Sequence, residues 1–144
     1  DNFDKFNGHV IPAMISKFID AKKNNKKNLK LFGTGKPLRE FIHSNDLGEA
    51  IFCCLKISKK KVKKEFNNKT PIINVGTGEN ISILKLSKII SSLIGFKGDI
   101  LFDKNFPDGT FRKNLNLRRI KKLGWYPKIK LKDGLKEVIN SRFV

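Results

Sequence analysis

Two short apolar runs in this chain each stop at the same kind of turn. Leu29-Lys30-Leu31-Phe32 runs into Gly33-Thr34-Gly35, and Ile72-Ile73-Asn74-Val75 into Gly76-Thr77-Gly78. A brief apolar run closed by glycines is the pattern of a strand leaving a sheet. Elsewhere the apolar period changes to that of a helix. From Ser82, an N-cap residue, the positions Ile83, Leu86, Ile89, Ile90, Leu93 and Ile94 fall on one face until Gly95 ends the run. A first helix is expected from about Val10 to Lys22, with Pro12 in its first turn and Ile11, Ile15, Phe18, Ile19 and Lys22 on one face. A second extended stretch covers Arg39 to His43, and Ser44-Asn45-Asp46 offers N-caps for a helix from about Leu47 to Ile57. A lysine-rich loop then leads to Pro71. Asp99 to Phe102 is strand-like, Phe106 to Thr110 a loop, Leu117 to Leu123 a short basic helix ending at Gly124, and Leu131 to Arg142 a last helix. Strands alternating with helices predict an α/β fold.

Composition narrows the class. The 144 residues suffice for one small domain, and 39% hydrophobic content with 12 Phe excludes a disordered chain despite a net charge of +18. No apolar stretch approaches the roughly 20 residues needed to span a bilayer, and the first residues lack a secretory pattern. The expectation is a soluble, intracellular protein of the cytoplasm without membrane contact. The start at Asp1-Asn2-Phe3, without Met, suggests a piece of a longer polypeptide.

The charge needs discounting before it is used. Of 31 cations only Arg39, Arg112, Arg118, Arg119 and Arg142 are arginines, whereas nucleic-acid readers favour the arginine fork. A polyanion-binding module therefore rests on charge alone, and the lysine clusters read as solvated loops and helix ends. Cys53 and Cys54 are adjacent inside Ala50-Ile51-Phe52-Cys53-Cys54-Leu55, which a buried helix face would explain; with only His9 and His43 besides, a structural zinc site lacks ligands.

Neither Gly-x-Gly stretch is a complete dinucleotide fingerprint. Lys36-Pro37 follows the first, and Ile81 stands where the second needs its third Gly. His43, at the end of an extended run, reads as structural. His9 sits in the polar Asn7-Gly8-His9 context just before a helix, a place from which an imidazole can donate a proton. The loop from Lys104 to Lys113 gathers an acid, a hydroxyl and cations; Arg112 and Lys113 suit a diphosphate, and Asp108 could accept from a sugar or base donor.

Taken in order, His9-Val10-Ile11-Pro12-Ala13, Gly33 through His43 (GTGKPLREFIH), Ile73-Asn74-Val75-Gly76-Thr77-Gly78, Phe96-Lys97-Gly98, Pro107-Asp108-Gly109-Thr110 with Arg112-Lys113, and Leu123-Gly124-Trp125 resemble the C-terminal part of the GDP-L-fucose synthases. These are extended short-chain dehydrogenases/reductases. Arg39 to His43 alone would mark only that wider class, and a related nucleotide-sugar epimerase or dehydratase is the competing assignment. The resemblance implies a bifunctional NADP-dependent enzyme that epimerises GDP-4-keto-6-deoxy-D-mannose at C3 and C5 and then reduces the C4 ketone. It implies that His9 is the epimerisation acid and lies against the cofactor. It further implies substrate contacts from Lys17, where Arg is usual, Phe32, where Trp is usual, Arg39, Asp108 and Lys113, with no metal.

The resemblance places residues 1–144 in the substrate-binding lobe, with NADP(H) held mainly by an upstream cofactor domain that also supplies the catalytic Cys and the Ser-Tyr-Lys group. The segments at about 44–58 and 71–76 are expected to pack on that domain. The expected partners are a GDP-sugar and, for the full-length enzyme, a second copy in a homodimer, without nucleic acid; the fragment alone is expected to be inactive.

Overall fold

The helix that is clearest in sequence is also the best framed in space. In a computed structural model, which describes residues 2–66 and 72–143, Ser82 Oγ accepts from the Lys85 N–H at 3.1 Å, and Gly95 closes the helix in the left-handed conformation at φ 76°. That φ is where a side chain would be strained. The elements, in chain order, are α1 (Val10–Lys23), β1 (Asn28–Phe32), β2 (Leu38–Arg39), α2 (Ser44–Leu55), α3 (Lys59–Phe66), β3 (Ile81–Ser82), α4 (Ile83–Ile94), β4 (Asp99–Asp103), α5 (Arg118–Lys122) and α6 (Leu131–Phe143). They divide into two compact units. The first contains residues 1–39, 81–112 and 135–144, the second residues 40–80 and 113–134.

In the first unit β1 pairs with β4 in parallel, Asn28 opposite Asp99 through Phe32 opposite Asp103, and β2 pairs antiparallel with β3. Helix α1 packs on α4 and on β1. Each helix turns its apolar stripe inward: Ile15, Phe18 and Ala21 from α1 and Leu86 and Ile90 from α4 are fully buried. Phe18 meets Phe96 edge to face at 5.6 Å. Lys22, which the helical period put on the apolar face, instead reaches out so that Nζ donates to the Ile94 carbonyl, one of the orphan acceptors at the end of α4.

The second unit is built on Ala50, Leu117, Ile120 and Trp125, with Cys53, Cys54, Ile73 and Val75 half-buried around them. Its polar centre is Asp46, 1% exposed, whose carboxylate accepts from the Lys128 and Ile129 backbone N–H groups at 3.0–3.1 Å. Three such bonds offset the cost of burying the side chain.

Several expectations change. Arg39 to His43 is not a continuous strand: pairing ends at Arg39, and His43 becomes the N-cap of α2, its Nδ1 accepting from the Asn45 N–H at 3.3 Å. The helix therefore begins three residues earlier than Leu47, and Asp46 is drawn inside rather than capping. Ile72 to Val75 forms no strand. The lysine-rich loop contains α3, whose Phe66 is buried under the Arg119 guanidinium, 4.8 Å from the ring centroid; residues 67–71, including the expected start of a segment at Pro71, lie outside the described residues. Helix α2 buries Ala50 and half-buries Cys53 and Cys54 on one side. Leu47, Ile51, Phe52 and Leu55 form one stripe by helical spacing and are 40–78% exposed. No helix among the described residues is long and apolar enough to cross a membrane.

Because Ser82 satisfies an orphan N–H of α4, Ser82→Ala is expected to lower stability in urea unfolding by about 1 kcal/mol, and Ser82→Asp to retain most of it.

Candidate functional site

Six segments of the first unit converge on one cleft of about 250 Å³: the turn before α1, the first turns of α1, the end of β1, the stretch from Pro37 to Arg39, the start of α4, and the loop that follows β4. Lys17, Phe32, Arg39 and Asp108 all line it. They come from positions spread over 92 sequence places, yet β1 and β4 leave the sheet side by side and so deliver Phe32 and the loop at 103–110 to the same edge.

The loop is fastened on both sides. The Gly33 N–H donates to the Asp103 carbonyl at 3.0 Å, and Asp103 Oδ1 accepts from the Asn105 N–H. Asp108 then reaches back to the glycine turn: Oδ1 accepts from the Thr34 N–H at 2.8 Å and Oδ2 from the Thr34 hydroxyl at 2.5 Å. A Cβ on Gly33, whose φ is 80°, would collide with that carboxylate, so the first glycine is required twice, by conformation and by space. Arg39 braces the other side, with Nη1 donating to the Leu38 and Thr110 carbonyls at 2.7 Å. Gly109 lets the guanidinium come close, since a Cβ there would lie 3.2 Å from Nη2. Asp108 is thus first a clip, and its role toward a ligand is limited to the acceptor capacity left after Thr34.

The second glycine turn, in the second unit, repeats the device. Glu40 Oε1 accepts from the Gly78 N–H at 2.6 Å, and a Cβ on Gly76 would collide with the Glu40 carboxylate. Each Gly-Thr-Gly turn has therefore filled its N–H cradle with a carboxylate of its own chain. A dinucleotide's phosphates would have to displace those anions, so these turns do not fit an NADP site.

Lys17 extends from α1 into the cleft, where its Nζ sits 4.0 Å from the Phe32 ring centroid and 5.7 Å from that of Phe6. Burial pushes the Lys17 ammonium below its ordinary pKa. Phe32 is stacked on its other face by Phe106, centroids 3.9 Å apart. His9 is exposed at the N-cap of α1; its neighbours Gly8 and Val10 line the cleft. Lys113 belongs to the second unit, where it is exposed, and is not among the residues that line the cleft. Thr34, Phe6 and Phe106 were not singled out in the sequence for this site. A Thr between two glycines reads only as turn chemistry, and isolated Phe residues carry no spacing signal.

The Thr34 hydroxyl and N–H, together with the charges of Lys36 and Arg39, hold the Asp108 carboxyl below its ordinary value of 3.8. A depressed folded-state pKa means the clip's contribution is complete above the ordinary value and is lost as pH falls through the depressed one. In an NMR titration the Thr34 amide proton is expected to shift with a midpoint below 3.8, and Thr34→Val to bring the Asp108 midpoint back up.

Comparison with known proteins agrees with this geometry. The model of the NAD dependent epimerase/dehydratase family matches residues 1–76. A GDP-L-fucose synthase of Sinorhizobium fredii is 40% identical over 141 residues, 98% of this chain and 42% of that protein. A solved GDP-6-OMe-4-keto-L-xylo-heptose reductase from C. jejuni superposes with a TM-score of 0.83 at 33% identity, over 97% of this chain and 49% of that one. A GDP-L-fucose synthetase from Naegleria fowleri bound to NADP gives 0.82 at 25%, over 97% and 41%. The chain spans about two fifths of the length of the curated relatives it matches. With an α/β fold shared across these enzymes and a family model over more than half its residues, the chain belongs to the NAD dependent epimerase/dehydratase family.

Proposed function

We propose that this chain is the substrate-binding portion of an NADP-dependent GDP-sugar epimerase/reductase, and specifically of one that converts GDP-4-keto-6-deoxy-D-mannose to GDP-L-fucose. The observation that carries the reading is the convergence of Lys17, Phe32, Arg39 and Asp108 on one cleft, with His9 beside its lip. Four of the five substrate contacts implied by motif resemblance meet in space, although nothing about their sequence spacing requires it.

In this reading Lys17 and Arg39 bind the diphosphate. Lys17 is partly stripped of water, so its attraction for an anion is less screened than that of a surface lysine. Arg39 spends Nη1 on two carbonyls and offers its remaining donors. Asp108 keeps the loop shut over them. A ketone at C4 acidifies the C–H bonds at C3 and C5, and His9 serves as the acid that returns a proton to the opposite face of the sugar. Its exposed place ahead of α1 leaves the imidazole able to reload from solvent. We assign NADP(H) mainly to an N-terminal cofactor domain, with His9 at its edge, since the glycine turns of this chain are already filled. The exposed apolar stripe of α2 and exposed Ile72 are assigned to the contact with that domain, which covers segments 44–58 and 71–76. The working enzyme is read as a cytoplasmic homodimer, and residues 1–144 alone as inactive.

A second reading keeps the chemistry and changes the sugar. The C. jejuni relative is named as a heptose reductase, and a 33%-identical relative as a GDP-L-colitose synthase.

The test is NADPH consumption with GDP-4-keto-6-deoxy-mannose by the natural polypeptide that carries this chain. His9→Asn is expected to lower kcat by about a hundredfold or more with KM little changed. Activity on that substrate untouched by His9→Asn would remove the histidine from the epimerisation. No turnover here, with turnover of a GDP-heptose, would favour the second reading. For the interface, Phe52→Ser with Leu55→Ser is expected to leave the far-ultraviolet circular dichroism of residues 1–144 unchanged while lowering the Tm of the natural polypeptide.

A further inference from the structure

Phe32 lines the cleft, but neither of its ring faces is open. The Lys17 ammonium is 4.0 Å from its centroid and the Phe106 ring 3.9 Å, nearly parallel at 25°. Two groups in such close contact occupy opposite faces, so a planar ligand would have to evict one of them. Phe6 is the aromatic residue for which this is not so. It lines the same cleft, is 76% exposed, and has Lys17 Nζ 5.7 Å from its centroid.

An exposed phenyl is ordinary on a surface, but the turn that carries this one is unusually well tied. Asp4 Oδ1 accepts from the Phe6 and Asn7 N–H groups at 2.9 and 2.5 Å, and the Gly8 N–H donates to the Asp4 carbonyl at 3.1 Å. A Cβ on Gly8 would collide with that carbonyl. Two side-chain bonds pin the turn to α1: Lys5 Nζ to Asp20 Oδ1 at 2.6 Å, and the Ser16 hydroxyl to the Phe3 carbonyl at 2.7 Å. Residues 3–8 hold an apolar ring out over a cationic cleft, and little ordering remains to be lost when something stacks there. The cleft, at about 250 Å³, is also small for a whole nucleotide sugar. One end of such a ligand has to lie along the rim, and Phe6 is on the rim.

The geometry points to Phe6 as the platform on which the nucleobase of a nucleoside diphosphate stacks while its phosphates meet Lys17. This deepens the reading of the cleft as a nucleotide-sugar site and rests on it. It also moves the aromatic role from Phe32, which supports Lys17, to a residue outside the motifs.

Titration calorimetry with GDP and with inorganic pyrophosphate separates the two claims. In the natural polypeptide, Phe6→Ala and Phe6→Leu are expected to weaken GDP by about five- to hundredfold while pyrophosphate stays within about twofold; Phe6→Trp is expected to hold or improve GDP. Since the ring is exposed, none of the three should lower Tm appreciably. Unchanged GDP affinity in both Phe6→Ala and Phe6→Leu, or equal weakening of both ligands, would overturn the stacking role. Wild-type protein that binds pyrophosphate but gains nothing from the base would do the same while leaving the anion site standing. Binding of neither ligand would overturn the nucleotide-sugar reading and the stacking proposal together.

Discussion

The clip between Asp108 and Thr34 is the interaction on which the cleft depends. It joins residues 74 places apart, and it uses both carboxylate oxygens on both donors of a single turn residue. Besides it the loop after β4 is held at its base by Asp103, by the stacking of Phe106 on Phe32, and beyond Gly109 by the Arg39 guanidinium and the Leu38 N–H. One part of the cleft lies inside that frame: Phe32 just before the turn, Arg39 after it, and Pro107 to Gly109 on the opposite wall. Gly33 pays with its side chain for the room that Asp108 needs. The same economy recurs at Gly76 and Glu40 in the second unit, so a filled glycine turn is a repeated solution in this chain rather than an accident of one loop.

The device has an electrostatic consequence. The chain carries +18, so an anionic ligand meets attraction over most of its surface, and specificity has to come from which donors are left unfilled. A carboxylate accepts from one N–H in each turn, Thr34 in the first and Gly78 in the second, and puts negative charge where phosphate would otherwise settle. The donors left at the cleft are side chains, Lys17 and Arg39, one on a helix and one at the end of a two-residue strand. Lys17 is further set apart from the other lysines by its position between two rings and by partial burial, which lowers its pKa and sharpens its attraction for charge.

Much of this was legible in the sequence, for physical reasons that can be named. Helices α1 and α4 were, because one buried face per helix writes a period of three to four into the chain; so were the ends of α4, because Ser82 and Gly95 each do something few other residues can. Strands β1 and β4 were visible as short apolar runs stopped by polar or glycine residues. What failed was whatever a distant partner decides. Ile72 to Val75 has strand-forming residues, yet without a neighbouring strand a run of β-branched residues stays irregular. His43 and Asp46 were assigned by local habit, one to a strand end and one to a cap; Lys128 and Ile129 instead drew Asp46 inward and left the cap to His43. The lysine run concealed α3 because its helical stripe is only Val62 and Phe66, too thin a signal among five lysines. At the site, the motif residues Lys17, Phe32, Arg39 and Asp108 were found, and the ones that hold them, Thr34 and Phe106, were not, since support roles depend on contacts across the chain.

The exposed stripe of α2 lies opposite the side that the second unit covers. Leu47, Ile51 and Leu55 repeat every four residues with Phe52 beside them, while Ala50, Cys53 and Cys54 turn toward Trp125 and Leu123. The helix thus has two apolar sides, a pattern that in sequence reads as a helix buried all round. In the described residues only the side carrying the small and sulfur-bearing residues is covered. The large aliphatic and aromatic side chains lie on the other, and they are the ones whose removal from water yields the most free energy, roughly 25 cal/mol per Å². Within the described residues that gain is not realised on this face, since Leu47, Ile51, Phe52 and Leu55 all stay open to water.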